Sequence, residues 1–401
     1  MRFLGIVTSK LIKIISLVIF LSALLLNCNK TPPYGKVTFR KTYGGMSYDY
    51  GYSVQQASDG GYIVVGTTYS FGWCDGDVYL IKTDMNGDQV WTKTFGGDDE
   101  DAGNSVQQTS DGGYIITGYT GSFGAGFFDV YLIKTDMNGN HVWTKTFGGA
   151  GSDFGYSVQQ TLDSGYIITG TTDSPSSNAD VYLIKTDING DTIWTKCFGG
   201  TNIDHGYSVK QTSDGGYIIA GTTYSSGAGE TDVYLIKTDA NGNQVWSKTF
   251  GGTSVDWGYS VQQTSDGGYI IVGFTESFCA GGSDVYLIKT NPNGDTVWTK
   301  TIAGNAAEEG CAVRQTSDGG YIICGYTDAF SANQGDIFLI KTDINGNQVW
   351  TKTYGGANTE QGNSVQQTTD DGYIIAGTTF SFGNGGSDVY LIKTDEDGNT
   401  E

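Results

Sequence analysis

The sequence predicts an all-β fold, a single seven-bladed β-propeller with four-stranded blades. Three observations point to it. The tyrosine of a Gly-Tyr-Ile step recurs at Tyr62, Tyr114, Tyr166, Tyr217, Tyr269, Tyr321 and Tyr373, at spacings of 52, 52, 51, 52, 52 and 52 residues. A strand-like repeat of that length is the mark of propeller blades. Glycine supplies 62 of 401 residues and proline only 4. With no sustained apolar 3.6-residue period, that composition favours short strands joined by glycine turns. Finally, Val37–Gly45 (V-T-F-R-K-T-Y-G-G) repeats the ending of Val90–Gly97 (V-W-T-K-T-F-G-G). That segment recurs around Trp143, Trp194, Trp246, Trp298 and Trp350 and is next due beyond Glu401. The N-terminal copy is expected to close the ring as the outer strand of the last blade, against Asp388–Thr394.

The chain begins with a segment outside the repeats. Arg2, Lys10 and Lys13 precede the uncharged apolar run Ile14–Leu26, which is 13 residues long. That is short for a membrane span and fits a secretory signal. Leu25-Leu26-Asn27-Cys28 resembles a bacterial lipobox, although Asn27 replaces the usual small residue. The resemblance implies a signal at residues 1–27, lipidation at Cys28, a tether over 28–36 and the propeller over 37–401. It also implies a protein exported and lipid-anchored to the bacterial cell envelope, at the outer membrane or the cell surface.

The second repeat shows one blade in order. Asn104–Thr109 is a first strand and Ser110-Asp111-Gly112-Gly113 a turn with glycines free for positive φ. Tyr114–Thr120 is a second strand, and Gly121–Phe128 a glycine-rich loop. Asp129–Thr135 (D-V-Y-L-I-K-T) is a third strand, apolar on both faces as a sheet packed between two others requires. Asn138-Gly139 is a hairpin turn, Val142–Phe147 a fourth strand, and Gly148-Gly149 the crossover. Such sheets bury their faces only by stacking. The terminal repeats are as apolar as the middle ones, so a ring is expected in place of an open stack with polar caps.

The third and fourth strands resemble the repeat of quinoprotein-type propellers. Val-Tyr-Leu-Ile-Lys-Thr-Asp is followed by Asn-Gly and then Trp, as at Gly87 to Trp91. The family's turn is one residue longer, with Thr-Gly, and the likeness covers about half of each blade. It implies the fold and not the cofactor. The full pattern D-G-G-Y-I-I…D-V-Y-L-I-K-T-D…N-G-N…V-W-T-K-T is similar to repeats of bacterial and archaeal surface proteins and lipoproteins. Some of those carry endoglucanase or lectin-like labels.

Net charge is −21, which repels nucleic-acid phosphate and suits calcium or a basic partner. Three acidic sets recur. Asp49, Asp101, Asp153, Asp204, Asp256, Glu308 and Glu360 precede the inner strand, where they are expected to ring the channel; calcium is the candidate cation. Asp77 and its equivalents begin the third strand. Asp59 and its equivalents sit in the first hairpin, where short carboxylates accept hydrogen bonds from turn amides. No other cofactor is expected.

Positions that break the repeat are the candidate binding residues. Tyr50, Ala102, Phe154, His205, Trp257, Glu309 and Gln361 follow the first acidic set, and four of them carry aromatic rings. Tyr50, Trp73, Phe154, His205, Trp257, Glu309 and Arg314 are therefore expected to form a rim on one face, able to stack on sugars or anchor a protein. Lys210 and Arg314 replace the first glutamine of Val-Gln-Gln. With Cys28 assigned to lipid, five cysteines remain, and Cys311 and Cys324 lie on the two strands of one hairpin. No nucleophile elbow, phosphate loop or metalloprotease helix occurs.

These features favour a monomeric, membrane-anchored binding or scaffold module for a glycan, surface protein or envelope complex. The alternatives are a polysaccharide-active hydrolase using the acidic and aromatic face, and a purely structural surface protein.

Overall fold

A computed structural model describes residues 36–400 apart from 73–74, 175–177, 280, 303, 305 and 329–334. The chain divides after Val37, and the propeller is the unit from Thr38 onward. The signal, Cys28 and Trp73 lie outside the described residues.

The strands form seven four-stranded antiparallel sheets, a seven-bladed β-propeller. Blade one runs from its inner strand Asp49–Gln56 through Tyr62–Thr68 and Asp77–Thr83 to the outer strand Gln89–Phe95. Blades two to six repeat that order, with inner strands Asp101–Gln108, Asp153–Gln160, Asp204–Gln211, Asp256–Gln263 and Glu308–Gln315. Blade seven takes three strands from the C-terminus, Glu360–Gln367, Tyr373–Thr379 and Asp388–Thr394. Its fourth is the N-terminal strand Phe39–Tyr43. That strand pairs from Phe39 opposite Lys393 to Tyr43 opposite Val389.

The core lies between blades. Val78, Leu80 and Ile81 on the third strand of blade one are fully buried. Ile63, Val65, Val78 and Leu80 of blade one pack against Val106, Tyr114, Ile116 and Tyr131 of blade two. Each such side chain contributes roughly 1.5–3 kcal/mol when fully buried, so a blade without a neighbour would lose most of its stabilisation.

One aromatic contact repeats at every junction. The outer-strand tryptophan meets the second-strand tyrosine of the next blade edge to face, as Trp91 does Tyr114 at 6.0 Å and Trp350 does Tyr373 at 5.9 Å. At the closing junction Phe39 meets Tyr62 in the same way, at 5.9 Å. The turn glycine is constrained twice there. Gly87 has φ of 76°, and a Cβ on it would lie 2.7 Å from the Phe39 ring.

A β-bulge in each inner strand sets what faces the channel. In blade one the register shifts between Gly51 and Ser53, which leaves Tyr52 without a partner strand residue. Gly66 on the second strand permits this, since a Cβ there would meet the Tyr50 carbonyl at 1.7 Å. Without the bulge the second, fourth and sixth residues would share the channel side. The extra residue hands that place to the seventh, and the sixth, such as Val106 or Val158, joins the core.

Candidate functional site: the two ends of the central channel

The bulge divides the channel into two chemically different ends. The start of the inner strands carries rings at the second and fourth positions, all half-buried. Within a strand, Tyr50 stacks on Tyr52 at 6.3 Å, Phe154 on Tyr156 at 6.3 Å and His205 on Tyr207 at 5.7 Å. Trp257 meets Tyr259 edge to face at 5.9 Å.

Between blades the rings connect further. Tyr119 of blade two touches Phe154 of blade three at 5.1 Å. Tyr156 then meets Tyr207 at 5.3 Å, and Tyr207 meets Tyr259 at 5.5 Å. An unbroken arc of aromatic contacts therefore spans blades two to five.

Acidic groups stand at both ends of this arc. The Tyr119 hydroxyl donates to Glu100 at 2.8 Å and that of Tyr69 at 3.4 Å. At the other end the Tyr259 hydroxyl donates to Glu309 at 3.4 Å. Burial, against hydrogen bonds from Tyr326 and Tyr259, pushes the Glu309 carboxyl upward. His205 shares a hydrogen bond with Thr171 of blade three at 3.0 Å, and burial pushes its pKa down despite Asp204. The Trp257 indole nitrogen is buried without a hydrogen-bond partner among the described residues.

The structure thus brings together Tyr50, Phe154, His205, Trp257 and Glu309 on one face. Arg314 does not join them. Glu309 is the second residue of its inner strand and Arg314 the seventh, so the arginine lies toward the opposite end of the channel, five residues along an extended strand. The fourth-position tyrosines are absent from the expected rim because that expectation rests on positions that break the repeat, whereas tyrosine recurs at the fourth position of four inner strands. The repeated Gly-Tyr-Ser at Tyr52, Tyr156, Tyr207 and Tyr259 is the signal that marks them. A second set carries the Ser-Phe step. Phe71, Phe123, Phe278 and Phe382 are exposed in the loop before the third strand, each against the tyrosine of that strand, as Phe71 is against Tyr79 at 5.6 Å.

The first acidic set is buried. Asp49, Asp101, Asp153, Asp204 and Asp256 are inaccessible to solvent, as are Glu308 and Glu360 to within 1%. Each carboxylate clamps the crossover that leads into its own strand. Asp49 accepts from the Gly45 amide at 2.8 Å and the Ser70 hydroxyl at 2.6 Å; Asp101 does the same with Gly97 at 2.8 Å and Ser122 at 2.7 Å. Glu360 reaches Gly356 at 2.9 Å and Thr379 at 2.8 Å. The seven are distributed one to a blade. Among the described residues no three His, Cys, Asp or Glu side chains converge as a metal would need. The second set lies close by, and burial followed by the charge of Asp49 raises Asp388 to about 6.

The hairpin aspartates fix a different charge. Asp59 accepts from the Gly61 amide at 2.9 Å and pairs with the buried Lys82 at 2.8 Å; the pair recurs in every blade, through to Asp370 and Lys393 at 3.0 Å. His141 is exposed on an outer strand, against Thr144. Cys197, Cys279, Cys311 and Cys324 are free thiols.

The other end of the channel is a cavity of about 440 Å³. Seventh-position side chains from all seven blades line it: Gln55, Gln107, Gln159, Lys210, Gln262, Arg314 and Gln366.

Comparisons with known proteins support the fold. A family model described as "Domain of unknown function (DUF5122) beta-propeller" matches residues 212–244. No curated protein matches the sequence. Among solved structures, the chain is similar to the WD40 domain of Neurospora crassa Pan2, with a TM-score of 0.52 and 10% identity over 90% of this chain and 100% of that one. It is also similar to YCF48 bound to D1 peptide, with a TM-score of 0.50 and 10% identity over 91% and 99% of the two chains. At such identity the likeness is one of fold: a β-propeller of comparable extent.

Proposed function

We propose that this propeller is a binding module, held at the bacterial cell envelope through a lipid on Cys28, that presents its ring-lined channel mouth to a glycan or a surface protein. The observation that carries the reading is the aromatic arc from Tyr119 to Tyr259, which occupies four blades and stops. A purely structural ring has no need of such asymmetry. Flat rings that keep part of their surface open can stack on sugar faces or on apolar side chains, and the tyrosine hydroxyls and Glu309 supply polar contacts beside them. The solved propeller YCF48 holds a peptide, so the architecture can serve such a role. The anchor rests on residues 1–28 of the sequence.

The test is a glycan array probed with the full chain, together with capture of envelope proteins, followed by a product assay on every glycan retained. Retention without turnover supports the module. Released oligosaccharide would make the protein a hydrolase, and retention of neither glycan nor protein would overturn the reading.

A further inference from the structure

The cavity at the far end of the channel is ringed by Gln, Lys and Arg side chains that carry hydrogen-bond donors, with valines and serines between them. Each seventh-position glutamine uses its carbonyl oxygen on the neighbouring blade. Gln55 accepts the Gln108 amide at 2.6 Å, Gln107 that of Gln160 at 2.6 Å and Gln159 that of Gln211 at 2.7 Å. Gln262 accepts that of Gln315 at 2.7 Å, and Gln366 that of Gln56 at 2.8 Å. Only an oxygen can accept an N–H, so these contacts fix the amide orientation. The five NH₂ groups of these cavity-lining residues make no hydrogen bond among the described residues.

The two exceptions deepen the bias. Lysine and arginine carry donors only. The Lys210 side chain makes no hydrogen bond or ion pair among the described residues, its backbone being paired opposite Ile218. Arg314 donates to its neighbour's carbonyl, Val313, at 2.7 Å and reaches Ser260 at 3.4 Å, which leaves most of its guanidinium donors unassigned. Among the described residues no carboxylate lines the cavity. Two basic side chains therefore line one small space without a carboxylate beside them, and the lysine feels the charge of the arginine, in a protein whose net charge is −21.

We propose that this cavity is a binding site for a small anion rich in acceptor oxygens, a carboxylate or phosphate compound, held between Lys210 of blade four and Arg314 of blade six and ringed by the glutamine amides. Donors of this kind recognise anionic oxygens by charge-assisted hydrogen bonds. The site is independent of the aromatic mouth, since no residue of the arc lines it. The protein's negative field does not prevent it, because at physiological salt distant charges are screened beyond about 8 Å, whereas Lys210 and Arg314 would touch the ligand.

The test is calorimetric titration of the full chain with inorganic phosphate and, separately, with citrate. The tighter of the two identifies the head group. Lys210→Gln and Arg314→Gln restore the residue found in the other five blades, so both variants are expected to fold. Each should weaken binding by about ten-fold or more, the double variant should abolish it, and Lys210→Arg should retain it. Absence of heat with both anions at millimolar concentration, or binding that persists in the double variant, would overturn the proposal.

Discussion

Gln366, on the last blade, accepts the backbone N–H of Gln56, on the first, at 2.8 Å. The same link joins blades one to two, two to three, three to four and five to six. It is a belt of hydrogen bonds around the channel, and it crosses the point where the two ends of the propeller meet. The belt is broken after blades four and six, where Lys210 and Arg314 cannot accept from Gln263 and Gln367. Lys210→Gln and Arg314→Gln are expected to stabilise the ligand-free protein by about 1–3 kcal/mol each, by restoring an acceptor and removing a half-buried charge. Urea denaturation checks this; an unchanged or lower midpoint for both variants contradicts it.

Lys210 also sets a pH dependence. Burial, then the charge of Arg314, push its ammonium down to about 7 from 10.5. Among the described residues Arg314 is the only other charged side chain lining the cavity; the remaining ones are Gln, Ser and Val. As pH falls below 10.5 the unfolded chain takes up this proton first, so the lysine's contribution is fully present above that pH and is lost as pH falls toward 7. Anion affinity should run the other way and decline as pH rises through about 7. Denaturation and titration across this window check both slopes, and Lys210→Gln should remove them.

Two hairpin turns carry avoidable strain. Most blades place Gly in the third position of the first turn, as Gly60 with φ of 85°, but Ser164 and Asp371 occupy the same conformation at φ of 68°. Ser164→Gly and Asp371→Gly are expected to gain up to about 1 kcal/mol each, relief of a left-handed side chain being offset by a more flexible unfolded state. Thermal melts of the two variants and their combination check the sign.

Closure concentrates risk in a short strand. Phe39 fills the site that tryptophan fills elsewhere, and Tyr43 donates to the Gly87 carbonyl of blade one at 2.6 Å. Phe39→Ala should cost about 3–5 kcal/mol if the site cannot collapse. Deleting Val37–Gly45 should expose the edge of Asp388–Thr394 and produce aggregation. A deletion variant that melts like the parent and stays monomeric would contradict the closed ring.

Much of this architecture is legible in the sequence because the repeat averages out local ambiguity. The tyrosine spacing counts the blades, D-V-Y-L-I-K-T marks the doubly buried strand, and Val37–Gly45 the closing strand. The site is less legible for identifiable reasons. The bulge after Gly51 and its equivalents moves the channel side from the sixth residue to the seventh, so Arg314 faces the channel, but five residues along the strand from Glu309 it stands toward the opposite end and not beside it on one rim. The acidic residues before the inner strands do not line the channel as expected, because each folds back onto its own crossover amide and a serine or threonine hydroxyl. Lys210 and Arg314 are visible as exceptions, yet what they interrupt is a chain of side-chain to backbone bonds between blades, which no single repeat displays.

Whether the aromatic arc is the binding surface is decided by one titration. The glycan or envelope protein retained by the parent chain is titrated against the variant carrying Phe154→Ala, Tyr207→Ala and Trp257→Ala, with circular dichroism confirming the β-fold of both. Binding by the variant should be at least about ten-fold weaker, in line with loss of aromatic anchors. A folded variant that binds as tightly as the parent would refute that role for the arc.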